Sequence, residues 1–295
     1  MTSADLPGSG LLGRDRLITT ADGRRLRTMV DGPDAGTLVI LEAGLGASAL
    51  YWLPVQRLLR DRYRVVAYDR AGIGGSDPST RPRTLEALAA DLDVVIDAFP
   101  HRKVVLVGHS WGGPIIRVAA ARRLAAGQHD VAGLVLVDQT DENNPLFFTR
   151  RVRRQFAVAA AAMRALAGVT RVLPMARLLN TSRITPFRRA MVEATLSPSA
   201  ARSAAAELRP VIDQLRWLHE RPLDLGDIPI RVLSGQQTPR FGQRSRVELI
   251  AGHRKTADDH PGGQFVPAYR SEHQIPTTEP DLIADQVRQV EDQAG

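Results

Sequence analysis

Val104-Val105-Leu106-Val107-Gly108-His109-Ser110-Trp111-Gly112-Gly113 is the stretch on which the reading of this chain turns. A continuous apolar run ends in a glycine, and a helical pattern opens directly behind it and continues to about Ala125. Such a run, bounded by glycine and followed by a helix, reads as a buried strand. Ser110 therefore falls on a tight strand-to-helix turn. Gly108 and Gly112, two residues before and two after, leave room for the crossing backbones. The turn lifts the hydroxyl above the sheet edge, and the helix N-terminus behind it can stabilise a developing anion. Gly-x-Ser-x-Gly alone is a weak signal; between a strand and a helix it is a strong one.

Working outward, the same alternation recurs on both sides. Leu17 to Thr20 and Leu26 to Val30 read as an opening antiparallel pair turned at Ala21-Asp22-Gly23. Thr37 to Leu41, Arg64 to Tyr68, Leu134 to Val137, Ile230 to Leu233 and Gln264 to Tyr269 read as further strands. Helical spacing occupies Leu50 to Leu59, Thr84 to Phe99, Arg246 to Asp258 and Pro280 to Val290. Apolar strands separated by amphipathic helices imply an α/β protein whose mostly parallel sheet is covered on both faces. The alternation breaks from Asp141 to Leu225, where only helical segments are legible, such as Arg151 to Leu166, Val169 to Leu179 and Ala200 to Trp217. The expected organisation is one α/β core, residues 1–140 and 226–295, interrupted by a helical insertion over residues 141–225.

Composition narrows the function classes. At 295 residues, 43% hydrophobic and 24% charged, the chain is an ordinary globular one. Without cysteine it can carry no disulfide, thiolate nucleophile or thiolate metal site. The first residues lack the pattern of a secretory signal and no stretch is long and apolar enough to span a bilayer, so a cytoplasmic protein is expected. The formal charge of +7 comes almost wholly from arginine, the only lysines being Lys103 and Lys255. No basic face with interleaved aromatics and no reading motif accompanies it, which argues against nucleic acid as a partner. No His/Asp/Glu grouping has metal-ligand spacing, and the glycine-rich loop Asp69 to Asp77 lacks the phosphate-loop lysine, so neither a metal nor an organic cofactor is expected.

With these features in place, the chain resembles the α/β-hydrolase superfamily over nearly its whole length. The resemblance rests on Leu41-Glu42-Ala43-Gly44-Leu45-Gly46, the Asp69 to Asp77 loop, the Gly108 to Gly112 elbow, and Ser271-Glu272-His273. It implies an eight-stranded, mostly parallel sheet with a helical cap after the sixth strand. It also implies a chain order of nucleophile, acid and histidine. Ser110 then becomes the nucleophile, and His273, just after the last strand, the general base. The usual place of the acid, after the seventh strand, reads Gly235-Gln236-Gln237-Thr238 and holds no carboxylate. Some relatives carry the acid at the end of the sixth strand instead, which selects Asp138, with Asp141 as the alternative. Two backbone N–H groups are expected to bind an oxyanion, those of Trp111 and Leu45. Many relatives have His-Gly before the second donor. Here Ala43-Gly44 stands there, preceded by Glu42, which is read as a strand-end carboxylate paired to an arginine.

The implied activity is hydrolysis of a carboxylic ester or thioester through an acyl-serine, on a small to medium hydrophobic substrate. Cofactor-free perhydrolase or lyase chemistry on the same residues, or a non-hydrolytic binding protein of the same fold, are the alternatives, because fold does not fix reaction. Haloalkane dehalogenases and epoxide hydrolases place aspartate where Ser110 stands. The insertion is arginine-rich from Arg150 to Arg221, opposed between Phe147 and Arg221 only by Glu193, Glu207, Asp213 and Glu220. It is read as an apolar underside with a solvated basic face. A weak contact of that face with an anionic membrane or a carrier protein is a further expectation.

Overall fold

A computed structural model describes residues 6–172, 185–238 and 242–294. Among the described residues eight strands form one sheet: β1 (Arg14–Thr19), β2 (Arg25–Asp31), β3 (Leu38–Glu42), β4 (Arg64–Tyr68), β5 (Val104–His109), β6 (Val131–Val137), β7 (Ile230–Gly235) and β8 (Gly263–Ala268). Their spatial order is β1-β2-β4-β3-β5-β6-β7-β8. The β1–β2 and β2–β4 pairs are antiparallel, and every pair from β4 to β8 is parallel.

Every residue of β3, β4, β5 and β6 is buried, which explains why these strands read as unbroken apolar runs instead of alternating patterns. Alternate side chains still go to opposite faces. Leu38 and Ile40 join one core cluster with Leu88 and Leu92 of α2 (Leu85–Asp97) and Ile115 of α3 (Gly112–Ala125). Val39 and Leu41 join the other, with Val55 of α1 (Leu53–Leu59), which follows a 3-10 turn at Ala49–Trp52. Two C-terminal core helices remain, Gln243–Asp258 and Pro280–Gln293, with a short turn of helix at Ile275–Thr278 that periodicity did not mark.

Between β6 and β7 the chain forms a 3-10 turn (Pro145–Phe148) and four helices among the described residues: α4 (Arg150–Val172), α5 (Pro186–Thr195), α6 (Pro198–Leu208) and α7 (Val211–Glu220). The single helix expected from Ala200 to Trp217 is two. Pro210 has no N–H for the ladder and its ring would clash with the preceding turn, so α6 ends and α7 begins there. The helix expected over Val169 to Leu179 is continuous with α4 as far as Val172; beyond that it lies outside the described residues, as do Arg177 and Arg183. The core helices after β7 are numbered in turn α8 (Gln243–Asp258), α9 (Ile275–Thr278) and α10 (Pro280–Gln293). No described helix is long and apolar enough to cross a membrane.

Parallel pairing brings the carboxyl ends of β3, β5, β6, β7 and β8 to one edge, where ligands of open α/β sheets bind. The register sets Glu42 beside Gly108, His109 beside Val137, and Gly235 beside Ala268.

Candidate active site

Ser110 sits at the end of β5 with φ +53°, a conformation that L-residues adopt only when the surroundings hold it. Its N–H donates to the Val137 carbonyl at 3.0 Å, and its own carbonyl accepts from Gly113 N–H at 3.1 Å and Thr140 N–H at 3.0 Å. The turn is thus bolted to β6. A Cβ at Gly108 would lie 2.5 Å from the Gly112 carbonyl oxygen, and one at Gly112 would lie 2.5 Å from that of Glu42. Both positions therefore require glycine.

Asp138 begins the loop after β6, also in the left-handed region at φ +41°. Its side chain is fully buried. Oδ2 lies 2.7 Å from His273 Nδ1. Oδ1 accepts from Gly235 N–H at 2.9 Å and from Arg246 Nη1 at 2.8 Å, and Nη1 also reaches Oδ2 at 3.0 Å. Burial opposes ionisation of this carboxyl. The His273 hydrogen bond and the neighbouring His253 and Arg246 outweigh it and hold the group well below the usual carboxylate range. The turn after β7, which lacks a carboxylate of its own, supplies an amide to the one from β6. Gly235 packs so closely on the Glu272 carbonyl that an added Cβ would lie 1.6 Å from it.

His273 follows β8 on the loop before α9. An ionised carboxylate only accepts, so in the contact with Asp138 it is His273 Nδ1 that donates. Its backbone carbonyl accepts from His109 Nε2 at 2.9 Å, and the two rings lie 4.7 Å apart. His109 immediately precedes Ser110, so the elbow itself holds the histidine loop. Burial first, and the neighbouring His273 second, push the His109 imidazole down to about 3, so it is neutral at ordinary pH. Among the described residues the Ser110 hydroxyl and the His273 ring form no hydrogen bond. Such contacts are often open without substrate and tighten on binding.

Gly44 faces the serine: a Cβ added there would lie 3.3 Å from Ser110 Cβ and 3.1 Å from His109 Nδ1. The N–H groups of Leu45, on that turn, and of Trp111, at the start of α3, donate to no backbone carbonyl among the described residues. Glu42 is paired to an arginine, as expected. Arg70 Nη1 lies 2.5 Å from its Oε1, and Tyr68 donates its hydroxyl to Oε2. Burial pushes the Glu42 carboxyl up, against the pull of Arg70 and Tyr68. Asp141 is not at the histidine. It accepts from Gln139 Nε2 and Thr256 Oγ1, each at 2.7 Å, and from Asn143 N–H at 2.9 Å, closing the loop after β6.

Three features of the site carried no sequence signal: Arg246 on α8 against Asp138, His109 as a brace for His273, and a buried ion pair from Arg70 to Glu207 of α6. His109 was nearest to legible, since a polar ring beside the nucleophile cannot reach solvent from a buried strand end. Among the described residues no group of three or more His, Cys, Asp or Glu side chains is placed to hold a metal ion.

Comparison with known proteins agrees with this architecture. Residues 37–251 match the family model described as alpha/beta hydrolase fold. An AB hydrolase superfamily protein of Gibberella zeae is 26% identical over 316 aligned positions, taking in 92% of this chain and 93% of the relative. A thermophilic esterase from Thermogutta terrifontis superposes with TM-score 0.66 at 22% identity, covering 96% of this chain and 99% of that one. The epoxide hydrolase CorEH superposes with TM-score 0.69 at 17% identity, covering 95% and 99%.

Proposed function

Because the chain belongs to the α/β-hydrolase fold family, we propose that it is a serine hydrolase cleaving a carboxylic ester or thioester of a small to medium hydrophobic substrate. The observation that carries this reading is the 2.7 Å contact of Asp138 with His273 on the rim where Ser110 is held at positive φ. Of the two chemistries named among the structural neighbours, esterase is favoured. An epoxide hydrolase of this family attacks with aspartate, whereas this elbow carries serine.

In the proposed reaction Ser110 Oγ attacks the acyl carbon while His273 Nε2 takes its proton. The tetrahedral oxyanion is bound by the N–H groups of Leu45 and Trp111, and α3 adds the favourable field of its N-terminus. Asp138 keeps the imidazole in the Nδ1–H tautomer and stabilises the imidazolium without taking a proton itself. His273 then protonates the departing alcohol or thiol. Water, deprotonated by the same nitrogen, cleaves the acyl-serine and restores the hydroxyl. No cofactor enters any step.

A fluorophosphonate probe tests the reading directly. It should label wild type stoichiometrically and leave Ser110→Ala untouched; unlabelled wild type should hydrolyse members of a graded panel of p-nitrophenyl esters or acyl thioesters and lose that activity as the probe reacts. Wild type that takes up no probe would point to a binding protein of the same fold; a probe-reactive wild type that is inert on the whole panel before labelling would remove ester hydrolysis.

A further inference from the structure

Arg70 belongs to the glycine-rich loop after β4, noted above only for lacking a phosphate-loop lysine. Its side chain is 1% exposed, and all five of its N–H groups are used. Nη1 donates to Glu42 Oε1 at 2.5 Å and to the Ala43 carbonyl at 2.6 Å. Nη2 donates to the Gly44 carbonyl at 2.7 Å and to Glu207 Oε2 at 2.7 Å, and Nε donates to Glu207 Oε1 at 3.0 Å. One face of the guanidinium thus grips the turn after β3, and its fork grips a carboxylate on the inserted helix α6. Arg83 adds a second cation to Glu207 at 3.3 Å.

The consequence lies in the peptide that joins Gly44 to Leu45. A trans peptide is planar, with its carbonyl and its N–H pointing opposite ways. Holding the Gly44 carbonyl on Arg70 therefore turns the Leu45 N–H away from the guanidinium, and leaves it with no backbone acceptor among the described residues. The adjoining Gly44 packs against Ser110 Cβ. We propose that Arg70 and Glu207 are positioning residues for the Leu45 oxyanion donor, so that this donor is aligned only while α6 is seated on the core. The insertion then contributes to transition-state stabilisation as well as to any substrate contact. This inference rests on the serine-hydrolase reading above.

Arg70→Lys keeps the buried charge but loses the planar fork, and Glu207→Gln keeps the size but loses one charged acceptor. Each is assayed on p-nitrophenyl esters and for inhibition by a trifluoromethyl ketone, whose hemiketal oxygen occupies the oxyanion position. Misaligning one donor should lower kcat per fluorophosphonate-titrated site by about 10- to 100-fold, and weaken the ketone by a similar factor. KM should move by less than about threefold, since ground-state binding is spared. An inhibition constant does not depend on the folded fraction, so it remains readable if a variant is unstable. Variants with lowered Tm but unchanged kcat per site and unchanged ketone inhibition would overturn the proposal, leaving the ion pair a purely structural tie. Wild type that fails to react with the phosphonate would overturn the hydrolase reading instead.

Discussion

In the proposed reaction Asp138 combines two demands that pull apart: it must be buried to orient His273, and it must stay ionised to stabilise the imidazolium. Arg246 and the Gly235 amide reconcile them by giving the carboxylate two partners besides the histidine. Asp138→Asn should lower kcat by roughly 10³- to 10⁴-fold with little change in KM, because tautomer and charge are lost while the substrate site is untouched. Asp141→Asn, by contrast, should turn over near the wild-type rate, since Asp141 reaches no atom of His273. Steady-state kinetics on one ester checks both, and the reverse pattern would transfer the role to Asp141. His109 makes a separate prediction in pH. Folded it titrates at about 3, unfolded near 6.5, so between those values the unfolded chain binds a proton that the native one refuses. Stability should therefore fall as pH is lowered from 6.5, by about 1.4 kcal/mol per unit for this group. His260, also lowered by burial, acts in the same window, so the measurement is a comparison with His109→Gln. Denaturant titrations at pH 7 and pH 5 should show a smaller loss in the variant. Equal losses would mean that His109 is protonated in the native state.

At the scale of elements, two strand ends are kept close by glycines that admit no side chain. The elbow needs Gly108 because β5 and α3 cross there and Gly112 because α3 starts against the end of β3, and that both are glycine was readable from their spacing around Ser110. Gly235 is different. Its neighbour is the Glu272 carbonyl on the histidine loop, a contact between segments with no local pattern joining them. Gly235→Ala should displace that loop, cost about 1–3 kcal/mol in stability through overpacking, and depress activity far more than the stability loss explains. Thermal unfolding alongside kcat tests it; unchanged turnover would show that the loop relaxes without moving His273. The split of the expected Ala200 to Trp217 helix at Pro210 follows from the same kind of local rule, and the proline was visible in the sequence. Helical spacing on both sides of it concealed the break.

Across the whole molecule, positive charge collects on the inserted helices. Arg150, Arg151 and Arg154 on α4 are exposed and form no ion pair among the described residues, and Val158 beside them is 62% exposed. Arg153, also exposed, is paired with Asp213 at 2.9 Å. A basic helix face with an exposed apolar residue fits an anionic lipid surface. We expect flotation with vesicles containing phosphatidylserine, weakening as salt screens the charge and lost in an Arg150→Glu, Arg151→Glu, Arg154→Glu variant. Flotation that is absent, or equal with neutral lipid, would eliminate the idea. The buried chain Arg24–Asp91–Arg83–Glu207–Arg70–Glu42 runs from the antiparallel edge of the sheet to the turn after β3. It ties the inserted helix α6 to the core through charges that would be costly to leave unpaired.

The amino-acid sequence by itself determined the strands, their helical spacers, the parallel sheet and the serine turn. Each of these is written in local periodicity, in glycine spacing or in the length of an apolar run. What tertiary structure decided are the partners drawn from distant segments: Arg246 reaches Asp138 across 108 residues, and Arg70 reaches Glu207 across 137. A buried charge is stable only where an opposite charge or a hydrogen-bonding group meets it, and which one does so depends on where the folded backbone brings the ends of its strands. Local pattern can announce that a carboxylate stands at a strand end. Only the packed molecule selects what it touches.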